Sequence, residues 1–256
     1  MTGITRVGVI GTGAIGQAIL EELRSRPDVE IAFVLVRDAG KRGDQGLAAG
    51  ILISDEKEAL RRPVDLVIEA AMPEIVARLA PVALAGADFC AFSSTALADR
   101  ANEDAVLAAA HASGRRFYVP HGAVLGLDGI GDGRGLIESV TITTTKSGKS
   151  LGVDPDAEGV VYEGSARGAC HRFPRNVNVH AAVSLAGLGF DETVSRIVAV
   201  PGQAEMIHQI EVTGPGLNWD LQISSRSLGG VTGAYTPHSA VGSVRRILGG
   251  EGISVI

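Results

Sequence analysis

The sequence predicts an α/β chain: a doubly wound parallel sheet followed by a second α+β domain. Three observations carry that prediction. Short apolar runs alternate with helix-period segments from Arg6 to Pro120. The period then changes, and ESVTITTTK (residues 138–146) alternates strictly in twos. Aromatic residues make up only 4% of the chain while Gly contributes 34 of 256 residues, so the core must be Val, Ile, Leu and Ala, interrupted by many turns.

Taken in order, VGVIG (7–11) reads as a strand, and AIGQAILEELRSR as a helix with Ile15, Ala18, Ile19 and Leu23 near helical spacing. IAFVLV (31–36) is the second strand and VDLVIEAA (64–71) the third, the latter followed by the helical EIVARLAPVALAG. ADFCAFSS gives a fourth strand, EDAVLAAAHASG a helix stopped at Gly114, and RRFYVP a fifth strand. Buried runs without strict alternation, separated by helices, indicate a parallel sheet covered on both faces. Beyond Pro120 a glycine-rich stretch leads into the 138–146 strand, a helix near Asn178, the strands SRIVAV, MIHQIEVTG and LNWDLQISS, and a closing helix in PHSAVGSVRRILGG. The predicted division is residues 1–120 plus 236–256 for the first domain and 121–235 for the second.

Composition narrows the functional classes. Lys and Arg total 23 against 29 Asp and Glu, a formal charge of −6, which argues against nucleic acid or an anionic membrane surface as partner. The N-terminus lacks a basic region followed by an apolar core and cleavage site, and no apolar run is long enough to span a bilayer. With only Cys90 and Cys170, far apart, a reducing cytoplasmic location is expected. The six histidines form no spaced ligand set with cysteines or carboxylates, so no metal is expected.

Gly11-Thr12-Gly13-Ala14-Ile15-Gly16 is G-x-G-x-x-G after a strand and opening a helix. The first glycine permits the tight turn, the second lets backbone approach a pyrophosphate, and the third lets helix pack on strand. Free N–H groups at Ala14 and Ile15 then face the anion, so the first domain reads as a Rossmann domain for NAD(P). The acidic ribose-binding residue expected about 20 positions on is replaced by Leu35-Val36-Arg37-Asp38. Arg37, with Lys41 and Arg42, suits a 2′-phosphate and favours NADP; the alternative lays Arg37 over the adenine and gives Asp38 the ribose.

FPRNVNVHAAVSLAGLGFDET (173–193) and PHGAVLGLDGI (120–130) resemble the L-aspartate dehydrogenase family, as do GTGAIG, VDLVIEAAMPE, STALAD, TTTK and YEGSARGA. The resemblance implies a Rossmann domain, a second domain that builds the substrate site and a homodimer contact, and oxidative deamination of L-aspartate to iminosuccinate, or the reverse. It implies His208 as catalytic acid/base, thirty residues after Asn178, with Asn178 at the nicotinamide end and backbone at Ala123 as further cofactor contacts. Ala71, in the segment ending the third strand, joins that cofactor set. An imidazole suits the chemistry, since the substrate ammonium must lose a proton before hydride leaves C2 and a water must later attack the imine.

A dicarboxylate needs cations, and Lys146 and Arg167 are the candidates, with His121 a further pocket residue. Asp128, Asp191 and Glu69 read as capping or pairing groups. The chain departs from the family at Val200 and Met206, before His208, and at Thr232–Thr236, all on the substrate side. Two alternatives therefore stand beside aspartate dehydrogenase: a related amino-acid dehydrogenase or imine reductase with a less acidic substrate, and a dinucleotide-binding sensor without turnover.

Overall fold

A computed structural model describes residues 3–41, 46–226 and 232–249. Arg42 and the Lys41 side chain fall outside that description. The chain forms two compact units. Among the described residues, the first comprises 3–41, 46–93, 101–120 and 240–249; the second comprises 94–100, 121–226 and 232–239. Two boundaries therefore differ from the sequence reading, which kept 94–100 in the first domain and started the C-terminal return at 236. Apolar content marks a segment as buried but not which core it joins.

In the first unit, β1 (Thr5–Ile10), α1 (Ala14–Arg24), β2 (Val29–Leu35), β3 (Leu52–Ile53), α2 (Glu56–Arg61), β4 (Leu66–Glu69), α3 (Pro73–Ala83), β5 (Asp88–Ala91), α4 (Arg100–Ser113) and β6 (Phe117–Tyr118) follow in order. The six strands are parallel in the order β3-β2-β1-β4-β5-β6. That is the doubly wound arrangement, whose order reverses beside β1. The two-residue β3 and the short α2, capped by Asp55 accepting from the Lys57 and Glu58 N–H groups, escaped the sequence reading. β3 is too short for periodicity to register.

The second unit contains α5 (Leu127–Gly133), β7 (Ser139–Lys146), α6 (Gly148–Leu151), β8 (Gly159–Ser165), α7 (Ala166–Arg172), α8 (Asn178–Ala186), β9 (Val194–Ala199), β10 (Glu205–Gly214) and β11 (Leu217–Arg226). Its sheet runs β11-β10-β7-β9-β8, antiparallel except for the parallel β7–β9 pair. Alternation puts Val140, Ile142, Thr144 and Lys146 of β7, Met206, His208, Ile210 and Val212 of β10, and Ser195, Ile197 and Ala199 of β9 on the buried side. Four polar residues thus occupy positions the pattern reserves for the core.

The closing helix, α9 (Tyr235–Leu248), places Ala240 and Val244 in the first unit's core with Ile19, Leu20 and Leu23 of α1. Arg245 Nε and Nη2 donate to the two Glu22 oxygens at 2.7 and 2.6 Å, a bidentate pair between the same helices. No described helix is long and apolar enough to cross a membrane.

Candidate active site

The glycine loop sits where β1 hands over to α1. Gly11 adopts φ +96°, and a Cβ there would lie 2.5 Å from the Ala70 carbonyl oxygen. A Cβ on Gly16 would lie 2.2 Å from the Gly11 carbonyl oxygen, so this glycine is what lets α1 approach the loop. Gly13 differs: a Cβ would meet nothing within 4 Å. It caps α1 without a side-chain bond, so the first-turn N–H groups, Ala14 and Ile15 among them, have no side-chain cap. The neighbouring Thr12 hydroxyl is buried without a hydrogen-bond partner. An open approach over Gly13, an uncapped helix start and an orphaned hydroxyl fit the pyrophosphate of a dinucleotide.

Around that loop, Arg37 is exposed, and its guanidinium contacts the Met72 sulfur at 3.8 Å. Asp38 accepts from the Gly40 N–H at 3.1 Å. Ala71 is exposed, but its N–H donates to Glu69 at 2.6 Å, leaving its methyl and carbonyl as the groups able to meet a ligand. Glu69 itself, at the C-terminal end of β4, is fully buried and also accepts from the Ser93 hydroxyl at 2.8 Å and the Ser93 N–H at 3.1 Å. Burial pushes its carboxyl up to about 7, with those bonds acting in the opposite direction. Among the described residues no cation pairs with it; Glu69 ties the strand ends of β4 and β5 together, a role its residue type suggested only in outline.

In the second unit, Asn178 opens α8, and its Oδ1 accepts from the Thr95 N–H at 3.2 Å; the Thr95 hydroxyl lies 3.1 Å from the same oxygen and donates to the Pro174 carbonyl at 2.8 Å. Ser94 Oγ donates to the Asn178 carbonyl at 3.0 Å. With Oδ1 held, the Asn178 amide N–H groups are the part left to meet a ligand. Ser94 and Thr95 open the STALAD segment that carries part of the resemblance, but the sequence assigns them no role, since their value lies in a contact across more than 80 residues. Ala123 and His121 lie in a turn with Gly122 at φ +62°, where the Val124 N–H donates to the His121 carbonyl at 3.3 Å.

His208 is 2% exposed, and its Nδ1 lies 2.8 Å from Thr144 Oγ1. Thr144 Oγ1 in turn lies 2.6 Å from His180 Nε2, and His180 Nδ1 lies 2.5 Å from Ser195 Oγ. Burial, and secondarily the Lys146 ammonium, push His208 down to about 3, so it is neutral in this state. Lys146, on the same side of β7 as Thr144, is 3% exposed, and its Nζ donates to the Asn176 carbonyl at 3.3 Å. Burial brings its ammonium down to about 8, and no carboxylate pairs with it among the described residues.

Arg167 is a correction to the sequence reading. Its Nε and Nη2 donate to the Asp191 carboxylate at 2.8 and 3.0 Å, Nη1 donates to the Ala98 carbonyl, and the guanidinium lies over the Phe190 ring at 5.1 Å. Its Nε–Nη2 fork is thus taken by Asp191, which argues against its serving as the clamp on a substrate carboxylate. Asp191 also pairs with Arg100 at 2.9 Å. The departures at Met206 and 232–236 meet in space: a Cβ on Gly233 would lie 2.8 Å from Met206 Cε and 2.7 Å from Ser225 Oγ. The tip of Met206 thus occupies the space that a side chain at 233 would need. Among the described residues, no group of three His, Cys, Asp or Glu is placed to hold a metal ion.

The sheet order and the glycine loop define a dinucleotide-binding protein of the Rossmann class. Residues 130–247 match the family described as Aspartate dehydrogenase, C-terminal, and residues 11–120 the one described as Homoserine dehydrogenase, NAD binding domain. The chain is 35% identical to the L-aspartate dehydrogenase of Methanopyrus kandleri, covering 97% of each, and 36% identical to that of Archaeoglobus fulgidus, covering 94% of this chain and 95% of the relative. The crystal structure of aspartate dehydrogenase from Thermotoga maritima superposes with a TM-score of 0.75 at 27% identity over 95% of each chain. The chain belongs to the L-aspartate dehydrogenase family, NAD(P)-dependent amino-acid dehydrogenases.

Proposed function

We propose that the protein oxidises L-aspartate to iminosuccinate, which hydrolyses to oxaloacetate and ammonia, and runs the reverse reductive amination. The observation that carries this reading is Lys146, a buried ammonium on the inner side of β7 with no carboxylate partner among the described residues. A buried cation left unpaired is costly, and an anionic substrate group supplies its partner. Lys146 then binds a substrate carboxylate, with His121 as a further pocket residue, while His208 exchanges the proton of the reacting nitrogen and later of the attacking water. Burial is the larger cause of the His208 depression and the Lys146 ammonium the smaller; a dianionic substrate beside Lys146 offsets the second and so raises the imidazole pKa.

The first unit holds the cofactor through Gly11, Gly13, Gly16 and the N–H groups of Ala14 and Ile15. Asn178, Ala123 and the exposed Ala71 complete its contacts, with the Asn178 amide donors suited to a carboxamide oxygen. When bound, the nicotinamide supplies the hydride acceptor or donor. The exposed Arg37 guanidinium supports a preference for NADP. A cytoplasmic homodimer follows from the resemblance and from the prevalence of twofold assemblies, and light scattering measures the mass.

The departure at Met206 raises the second reading, a less acidic substrate, and its pairing with Gly233 supports local repacking instead. NADPH and NADH oxidation at constant pH, with oxaloacetate plus ammonium and a panel of other 2-oxo acids, separates the two. Turnover with oxaloacetate is expected, falling by about 10²- to 10⁴-fold in His208→Ala, the range general acid–base groups contribute. Lys146→Met is expected to raise KM for oxaloacetate while leaving cofactor affinity intact. Turnover confined to monocarboxylate oxo acids overturns the aspartate reading. Cofactor binding without any turnover favours the sensor.

A further inference from the structure

His208 belongs to a buried chain of four side chains drawn from three strands and one helix: His208 on β10, Thr144 on β7, His180 on α8 and Ser195 on β9. A hydroxyl carries one proton. Thr144 Oγ1, 2.8 Å from His208 Nδ1 and 2.6 Å from His180 Nε2, donates to one ring and accepts from the other. One of those two nitrogens is therefore protonated and the other bare. The far end is set by Ser195, fully buried, whose hydroxyl has His180 Nδ1 as its partner at 2.5 Å. A buried hydroxyl proton is satisfied by donating, so the favoured polarity in the free protein runs from Ser195 to His180 Nδ1, from His180 Nε2–H to Thr144, and from Thr144 to His208 Nδ1.

We propose that His180 is a positioning residue that acts on His208 through Thr144, fixing its tautomer, with the His208 proton on Nε2 in the free protein. This inference rests on the reading of His208 as the proton-handling group. In most orienting arrangements a carboxylate takes this position and charges the pair; here two neutral hydroxyls and a second imidazole do so. Taking up a proton at Nε2 requires the opposite polarity. His208 Nδ1–H then donates to Thr144, Thr144 to His180 Nε2, and His180 Nδ1–H to Ser195. In that polarity an imidazolium at His208 keeps every bond of the chain. Two imidazoliums together would give Thr144 two donors and no acceptor, so the pair holds at most one extra proton. Burial opposes charging of both rings most strongly; His208 adds to this at His180, and the Lys146 ammonium, on β7, opposes charging of either ring. The remaining polar contact is Ser184 Oγ, which donates to the His180 carbonyl at 2.8 Å and holds the helix rather than the ring.

The test is long-range ¹H–¹⁵N spectroscopy of the full chain at neutral pH, with His208 assigned by its absence in His208→Ala. Wild type is expected to show a single His208 tautomer protonated on Nε2. Thr144→Val keeps the shape and removes the hydroxyl, and Ser195→Ala removes the far end; both are expected to yield mixed tautomers, and Thr144→Ser to restore one. In turnover, Thr144→Val is expected to move the apparent pKa of kcat/KM for aspartate and lower its plateau by roughly tenfold or more, the scale of an imidazole's orienting partner, with cofactor KM unchanged. A purely structural role would lower the melting temperature and leave tautomer and pH profile alone. An Nδ1-protonated His208 in wild type, or a single unaltered tautomer in Thr144→Val, overturns the proposal. Should wild type fail to turn over aspartate, the substrate reading falls, and the spectra still decide the coupling on their own.

Discussion

The glycine loop of the first unit and the histidine chain of the second solve the problem of presenting polar groups to a ligand in opposite ways. The loop uses backbone: six consecutive residues, Gly11–Gly16, shape an anion cradle, in which Gly11 and Gly16 lie hard against the Ala70 and Gly11 carbonyls and Gly13 stands open. The chain uses side chains from Thr144, His180, Ser195 and His208, spread over 64 residues and assembled only by the sheet register that pairs His208 with Thr144. The first depends on local conformation, the second on tertiary alignment. Their buried titratable groups also respond to pH with opposite sign.

That contrast gives the largest predicted effect. Glu69 in the first unit has its folded pKa raised from 4.5 to about 7 by burial. Between those values the folded state keeps a proton that the unfolded chain releases, so stability falls as pH rises through the window, by about 3 kcal/mol in total. His208 has its folded pKa lowered from 6.5 to about 3, so its contribution grows as pH rises over that range and is lost as pH falls. Urea unfolding of wild type and Glu69→Gln from pH 4 to 8 separates them. The variant should lose the stability decline toward pH 7 and above while keeping the rise from the acid side. An identical slope in both proteins would mean that the Glu69 carboxyl is ionised in the fold, stabilised by its three N–H and O–H donors.

A second comparison lies inside the loop itself. Gly16→Ala places a methyl 2.2 Å from the Gly11 carbonyl oxygen and is expected to cost about 1–3 kcal/mol of stability as well as cofactor affinity. Gly13→Ala meets nothing within 4 Å, so its melting temperature should stay near wild type while NAD(P)H binding, read by fluorescence titration, weakens. Equal destabilisation by both would show that the loop glycines serve packing alone.

The same contrast explains what was legible beforehand. The cradle was readable because a G-x-G-x-x-G run carries its geometry in its spacing, and the parallel sheet because buried strands show as apolar runs. Of the second site, His208 follows from family spacing and Lys146 from the TTTK segment and the need for a cation, while Thr144, inside that same segment, and Ser195 have no role legible in the sequence. Yet each stands at an inward position of an alternating strand, where β7 otherwise places Val140 and Ile142, and β9 places Ile197 and Ala199. Polar residues at core positions were the available signal; which of them would touch depended on the register of β7 against β9 and β10, which sequence spacing does not encode. Arg167 shows the converse error, because an arginine's partner, here Asp191 only 24 residues on, decides whether its charge is free.

The smallest predicted effect concerns the cradle's outer rim. Arg37 is exposed and, among the described residues, held by one long contact to the Met72 sulfur, so it is cheap to reorient onto a ligand phosphate. A solvent-exposed guanidinium pairing with a phosphate gains about 1 kcal/mol or somewhat more, because water screens the charge. Arg37→Ser should therefore lower the ratio of kcat/KM for NADPH to that for NADH by roughly tenfold with little change in the NADH value. Asp38 points the other way: it lies one residue on, already accepts from the Gly40 N–H, and as a carboxylate would repel a 2′-phosphate. If Arg37→Ser leaves the ratio unchanged while Asp38→Asn shifts it toward NADPH, the ribose hydroxyl is being read by Asp38, and the rim of the cradle discriminates by repulsion where Arg37 implied attraction.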